Sequence, residues 1–435
     1  MSAVSLIHMA FPVEVSDSWH SAVKFSYFIC EVLEVRNTTS KRQRSYESLL
    51  FPLSILVVFF QGFAAGGFQL VLIDIGATFG LNNTMMGTVV TSQFIALTLA
   101  VLIVGRHSDK IGKKRVLIIF MPILIVGSGF AIVAGSSLMF MASVFLVGTG
   151  GGICECMLTA AVSDNEPARA EKRINTVQAF FSGGALTGPV VFNFLMSSGF
   201  TWRIVYVLPA ICFILLFPML LLTRFTVKSP NLTAEPASAP KVVNPLKFFS
   251  SKVFVIIFLS MIIYSGLEVG VSFFADSFLT VELEAPDFGS IAISVYWLSM
   301  TVSRLLFSWI KTEALRVSFL LFGVLTIPLV VLSLNTSVPF ALVLYAVIGF
   351  LMGPVWCLLI AYATKTYINQ SGGVASLMVA AGGLGAAAFP VAFGAIADAF
   401  DLRISIIMLA LSTLLIFLVG GGHILKKKLG YVLDE

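Results

Sequence analysis

The chain has 435 residues, 58% of them hydrophobic and only 11% charged, with a mean hydropathy of +0.99. No water-soluble fold buries that much apolar side chain, so a globular enzyme or nucleic-acid-binding protein is excluded and lipid is the solvent. The net charge of +5 does not point to an acidic partner, because the basic residues lie in loops and tails between apolar runs.

In chain order, residues 1–50 come first and are expected to form a cytoplasmic tail. Trp19 to Val35 is apolar but interrupted by Lys24, Glu31 and Glu34, too broken to span a bilayer. It lacks the basic start and small-residue cleavage site of a signal peptide, and an interfacial amphipathic helix fits it better. Arg36, Lys41, Arg42 and Arg44 follow as a basic collar.

Twelve apolar runs then have the roughly 20 residues needed to cross about 30 Å of hydrocarbon. They fall near 52–76, 85–105, 115–135, 138–162, 174–198, 203–224, 252–278, 289–310, 316–334, 338–363, 372–397 and 403–425. Arg203 and Arg403 fall on the external side and Arg304 near the inner end of the eighth run. The rest of the 27 Lys and Arg residues fall on one side, which the positive-inside rule makes cytoplasmic. Both termini are therefore expected inside, and the acidic loop 282–287 outside.

The longest internal connection, 225–251, carries Pro230, Pro236, Pro240 and Pro245 and reads as a polar cytoplasmic linker. It divides the chain into a first six-helix bundle, 51–224, and a second, 252–425, followed by a tail, 426–435. The halves echo one another at an offset of about 200 residues. Gly105-Arg106 recurs as Ser303-Arg304, Gly148 to Gly152 as Gly349 to Gly353, and Gly183-Gly184 through Pro189 as Gly382-Gly383 through Pro390. A duplicated unit of this kind suits a transporter whose site lies between its halves. Gly-rich patches also recur simply because membrane helices pack through small residues.

Residues 105–115, Gly-Arg-His-Ser-Asp-Lys-Ile-Gly-Lys-Lys-Arg, read as an eleven-residue charged loop between the second and third runs. This order resembles the corresponding loop of major facilitator superfamily transporters. The resemblance covers 51–425 and implies an all-α membrane protein of twelve helices in two pseudo-symmetric bundles. It also implies a conformational latch, here Gly105, Asp109, Gly112, Lys113 and Arg115. Asp164 with Arg173 is read as a second latch, and Arg304 is assigned to latching in the second half.

A carboxylate inside a membrane helix costs at least about 2.5–3.5 kcal/mol, so it must face a cavity or a partner. Glu155, in the fourth run, and Glu268, in the seventh, are the two candidates, and a carboxyl group placed there can carry a proton. The alternative for each is a structural hydrogen bond between helices. Gln61, Gln69, Gln93, Gln178, Asn193, Tyr264, Tyr296, Trp297 and Trp356 are the other polar and aromatic residues at mid-membrane. From these, Gln69, Gln178, Asn193, Tyr264, Trp297 and Trp356 are the candidate solute contacts. Amides offer hydroxyls both a donor and an acceptor, and an aromatic face suits the C–H face of a sugar ring. An aromatic residue at such a position serves the core as readily as a ligand.

Three stretches narrow the resemblance. Pro167 to Arg203 (Lys-Arg-Ile-Asn-Thr-Val-Gln-Ala-Phe-Phe-Ser-Gly-Gly-Ala through Gly-Pro to Trp-Arg) looks like the fifth-helix region of the fucose, glucose and galactose–proton symporter group. Tyr264-Ser-Gly-Leu-Glu-Val-Gly and Tyr296-Trp297 through Arg304 are similar to its seventh and eighth helices. In that group an acid in the fourth helix couples to protons, and Glu155 matches its place. The first-helix acid of the fucose members aligns with Gln69, which departs from the pattern and leaves Glu268, or a sodium ion, to serve instead.

The leading expectation is a monomeric, proton-coupled plasma-membrane importer of a small polyhydroxylated solute such as a hexose. An exporter or antiporter of amphipathic compounds is the alternative, and an organic-anion carrier a third reading. An enzyme or sensor is disfavoured. His8, His20, His107 and His423 all lie in tails or loops, and no catalytic motif occurs. No metal or organic cofactor is expected. Of the five cysteines, Cys154, Cys156, Cys212 and Cys357 lie in apolar runs and have neither disulfide-framework nor metal-ligand spacing.

Overall fold

The computed structural model describes residues 49–165, 170–225, 245–309, 313–367 and 371–428. Among them, twelve helices are long and apolar enough to cross a membrane. They are α1 (Leu50–Leu70), α2 (Asn83–Ile111), α3 (Lys113–Val133), α4 (Ser137–Asn165), α5 (Ala170–Ser197) and α6 (Ile204–Leu222) in the first half. The second half holds α7 (Lys252–Phe273), α8 (Gly289–Trp309), α9 (Ala314–Leu334), α10 (Val338–Thr366), α11 (Ser371–Ala399) and α12 (Leu402–Lys428). The expected amino-terminal tail and most of the Pro-rich linker lie outside the described residues.

Leu138, Phe194, Leu215 and Leu334 are each between 69% and 76% exposed. Large apolar side chains standing out on every side are what a lipid-facing surface requires. Inside that phase, helix hydroxyls turn back on their own backbone, as Ser128 does on Leu124 O and Ser260 on Ile256 O.

The 105–115 segment is a correction to the sequence reading. It is not a loop, because α2 runs through it to Ile111 and α3 begins at Lys113. Twenty-nine helical residues measure about 43 Å, more than the hydrocarbon thickness. The charged end of α2 therefore stands in the headgroup region, where Lys and Arg are good helix formers. The connection shrinks to Gly112, whose φ of 91° would strain any residue with a Cβ.

Each half repeats one packing plan. α1 packs along α5, as α7 does along α11; α2 and α3 both pack on α4, as α8 and α9 do on α10; α6 packs on α3, as α12 does on α9. The halves meet along two seams, α2 with α11 and α5 with α8, which are counterparts under the same repeat. We call the end of the molecule holding Gly112 the basic face and the opposite end the far face.

The far-face half of these seams is closed by hydrogen bonds. Asp398, at the end of α11, accepts from Asn83 N at 2.9 Å, Thr84 N at 2.8 Å and Thr84 Oγ1 at 2.5 Å, and so caps the start of α2 across the two halves. Thr91 donates to Ala387 O, and Ser294 on α8 donates to Leu186 O on α5. Gly87 lies so close to Pro390 that a Cβ would meet its carbonyl.

Arg203 and Arg403, read from sequence only as external charges, are equivalent staples 200 positions apart. Each precedes or opens the last helix of its half and ties it to the end of the third. Arg203 Nη2 donates to Ala134 O at 3.0 Å, beyond α3. Arg403 donates to Ser333 O and Asn335 O at 2.9 and 2.7 Å, beside the end of α9, and its Nε donates to Glu282 Oε2 at 2.8 Å. Hydrogen bonds to charged groups contribute about 1.5–3 kcal/mol each at most. Arg403→Ala is expected to cost about 3 kcal/mol and Arg203→Ala about 1 kcal/mol. Thermal unfolding in detergent will rank them; equal melting temperatures would reject the staple assignment for Arg403.

Candidate functional site

Two polar groups occupy the middle of the molecule, one in each half. In the first, Gln61 on α1 donates from Nε2 to Gly151 O on α4 at 2.9 Å, leaving its Oε1 buried without a partner. One turn further along α4, the half-buried Glu155 accepts at Oε1 from Gln178 Nε2 on α5 at 3.1 Å. Two helices, α4 and α5, thus meet at a carboxylate whose bonding partner is a neutral amide, one turn from where α1 is tied to α4. An amide can donate to the ionised carboxylate through its NH2, or, turned over, accept from the protonated acid through its oxygen. Gln178 can therefore serve Glu155 in both protonation states.

In the second half, Arg304 on α8 is the hub. Its Nε donates to Gly353 O at 3.1 Å, where α10 is interrupted ahead of Pro354, and its Nη1 to Ser182 Oγ on α5 at 3.3 Å. Its Nη2 reaches Tyr264 OH and Glu268 Oε1, both on α7 and both at 3.4 Å. Arg304 thus spans the α5–α8 seam from mid-membrane. The side chain is drawn to the one carboxylate of α7 that would otherwise lie in the apolar phase alone.

Of the candidate solute contacts, Gln178 joins Glu155 and Tyr264 joins Arg304. Gln69 and Trp297 find each other across the halves, Trp297 Nε1 donating to Gln69 Oε1 at 2.9 Å, and both are nearly fully buried. In this conformation they hold α1 to α8. Trp356 packs its ring against Tyr264, centroids 5.9 Å apart, within the second half. Asn193 stands apart, about 22 Å along α5 from Gln178.

The latch residues sort differently from their order in sequence. Lys113, opening α3, forms an ion pair with Asp164 in the last turn of α4. Arg173 lies over the Phe51 ring, 4.2 Å from its centroid. Arg115 is exposed. Gly105 and Asp109 fall in a stretch whose side chains lie outside the described residues.

Sequence reasoning found Glu155, Gln178, Tyr264 and Glu268 but not how they pair, and it missed Ser182 and the Asp398 cap. A Ser in an α-helix and an Asp at a helix end carry no signal until the facing helix is known.

The family model described as Major Facilitator Superfamily matches residues 54–390. The chain belongs to this superfamily. It is thus a membrane transporter built as two six-helix bundles, and the α2–α11 and α5–α8 seams are where a major facilitator's halves meet. Among solved structures, a bacterial homolog of the human lysosomal transporter Spinster, inward-facing and unoccupied, matches with a TM-score of 0.71 and 15% identity, over 86% of this chain and 97% of its own. The nucleoside transporter NupG matches with a TM-score of 0.70 and 15% identity, over 87% and 99%. The E. coli fucose:proton symporter FucP matches with a TM-score of 0.60 and 15% identity, over 85% and 97%. At these identities the likeness shows the shared major facilitator fold. No curated protein sequence matches the chain significantly.

Proposed function

We propose that this transporter is a proton-coupled importer of a small polyhydroxylated solute such as a hexose, working by alternating access as a monomer. The basic face is cytoplasmic and the membrane is the plasma membrane, with no metal or organic cofactor. The observation that carries the reading is Glu155 bound to Gln178. A membrane carboxyl group held by a neutral amide can change charge without breaking its contact, which is what a proton carrier needs. Glu268 is the second candidate, and differs in having a cation 3.4 Å away.

The solute class is supported by the amides and hydroxyls of α1, α5 and α7, and by the resemblance of α5, α7 and α8 to the sugar–proton symporter group. Two structural relatives transport a sugar and nucleosides, and a nucleoside itself contains a sugar. In the conformation described, hydrogen bonds close the far face, so a bound solute would leave toward the basic face.

Proteoliposomes with an alkaline lumen, offered labelled hexoses and nucleosides, test the reading. Accumulation above the external concentration is expected for a hexose, collapsing on addition of a protonophore. Equilibration that ignores the pH gradient would reject coupling. Drug efflux without sugar uptake would favour the exporter.

A further inference from the structure

A guanidinium carries five N–H donors in a rigid fork and accepts nothing. Arg304 uses its fork loosely. Only Nε makes a bond of ordinary length, 3.1 Å to Gly353 O, while the contacts to Ser182 Oγ, Tyr264 OH and Glu268 Oε1 are 3.3, 3.4 and 3.4 Å. Charge-assisted N–H···O bonds normally close to about 2.7–2.9 Å. The two charged side chains also keep access, with 25% of Arg304 and 19% of Glu268 exposed. The pair is therefore close enough to balance its charges and open enough to take a further partner. Through Ser182 it already touches the other half.

We propose that Arg304 and Glu268 together bind two adjacent hydroxyl groups of the solute, one accepting from the guanidinium and the other donating to the carboxylate. The chemistry selects a vicinal diol. Every hydroxyl can both donate and accept, so two neighbouring ones satisfy a donor and an acceptor set side by side and leave the ion pair neutral as a unit. An anionic group would have to displace Glu268 and leave that carboxylate without its cation. A cationic group would do the same to Arg304. Trp356, half-buried and packed on Tyr264, backs the pair with an aromatic surface suited to ring C–H groups. Arg304 thereby becomes a specificity residue of the second half, separate from the proton carrier in the first. The inference rests on the polyhydroxylated-solute reading above.

Binding to the purified full-length protein tests it, by calorimetry with D-glucose, D-galactose, D-mannose, L-fucose, myo-inositol and D-glucuronate. The tightest-binding neutral sugar is then compared with its monodeoxy analogues on wild type, Arg304→Gln, Arg304→Lys and Glu268→Gln. In the wild type, loss of either member of one neighbouring hydroxyl pair is expected to weaken binding roughly tenfold. In Arg304→Gln the analogue lacking the guanidinium-bound hydroxyl should bind as well as its parent, while the other deoxy penalties persist. Glu268→Gln should erase the penalty of the neighbouring position instead. Should Arg304→Gln fail to fold, Arg304→Lys, which keeps the charge but not the fork, carries the same comparison. Uniform weakening with every deoxy penalty retained would make Arg304 structural and overturn the inference while leaving the transport reading intact. Tighter binding of D-glucuronate than of D-glucose, lost in Arg304→Gln, would overturn it in favour of an anion site. Binding of none of the neutral polyols would overturn both.

Discussion

Glu155→Gln is expected to abolish accumulation of the solute against its gradient while leaving exchange of labelled for unlabelled solute across the same membrane. The reasoning runs from the contact outward. Gln at position 155 is close to the shape of a protonated Glu and can still pair with Gln178, so helix packing between α4 and α5 survives. What disappears is the change of charge. A transporter locked in the neutral form can move between its two conformations with solute bound, but gains nothing from a proton gradient. Accumulation should fall by about tenfold for every tenfold gradient of protons imposed, since such a gradient is worth about 1.4 kcal/mol and coupling is lost entirely. Gln178→Leu is the companion test. It leaves the carboxyl group without the amide that serves both protonation states, and both uptake and exchange should drop. If Glu155→Gln accumulated solute as well as wild type, the proton would have to travel by another residue, and Glu268 would be the first to examine.

The second large effect is expected at the far-face seam. Gly87 faces the carbonyl of Pro390, which is backbone and cannot swing aside, so Gly87→Val must push α2 from α11 wherever the far face is closed. Overpacking of this kind costs about 1–3 kcal/mol. At the upper end the closed state loses roughly a hundredfold in population, because each 1.4 kcal/mol is a factor of ten. Transport should fall to background while the solute still binds from the far side. Asp398→Ala removes three hydrogen bonds of the same closure but leaves no obstruction. A lost helix cap costs about 1 kcal/mol, so a milder shift of about fivefold is expected. A single Cys at Ser294, in a cysteine-free background, would report both through its reaction with an impermeant maleimide applied from the far side. The expected order of rates is Gly87→Val, then Asp398→Ala, then wild type. Equal rates would show that this seam does not govern opening.

Much of the architecture was legible in the chain because a bilayer imposes length. Apolar runs of about 20 residues map onto helices with little freedom, and most described spans begin and end within a few residues of their expected bounds, the first and seventh stopping short at Leu70 and Phe273. The exception at Gly105 to Ile111 has a physical cause. A charged run looks like a loop when judged by hydropathy, yet outside the hydrocarbon nothing prevents a helix from continuing through Lys and Arg. The repeat between halves shows in the glycines, though at a shifted register: Gly184 packs against α1 as Gly385, two residues beyond the Gly382-Gly383 pair read from sequence, does against α7.

The site was legible only residue by residue. Glu155, Gln178, Glu268 and Tyr264 stand out because polar groups in lipid need a reason to be there. Their pairing depends on how helices far apart in sequence are rotated and raised against one another, and hydropathy carries no such information. Arg304 was read from its place near the end of a span, although a long side chain reaches several ångströms back toward the midplane. Gln69 and Trp297 looked like ligand contacts for the same reason as Gln178, and only their mutual hydrogen bond across the seam distinguishes them.

Glu155 as the proton carrier is tested most directly by following protons and solute in the same vesicles. Proteoliposomes containing a pH-sensitive dye, given the tightest-binding hexose with no imposed pH gradient, should acidify internally in step with sugar entry, and the Glu155→Gln protein should admit sugar with no acidification. Sugar entry into wild-type vesicles at constant internal pH, or acidification that persists in Glu155→Gln, would contradict it.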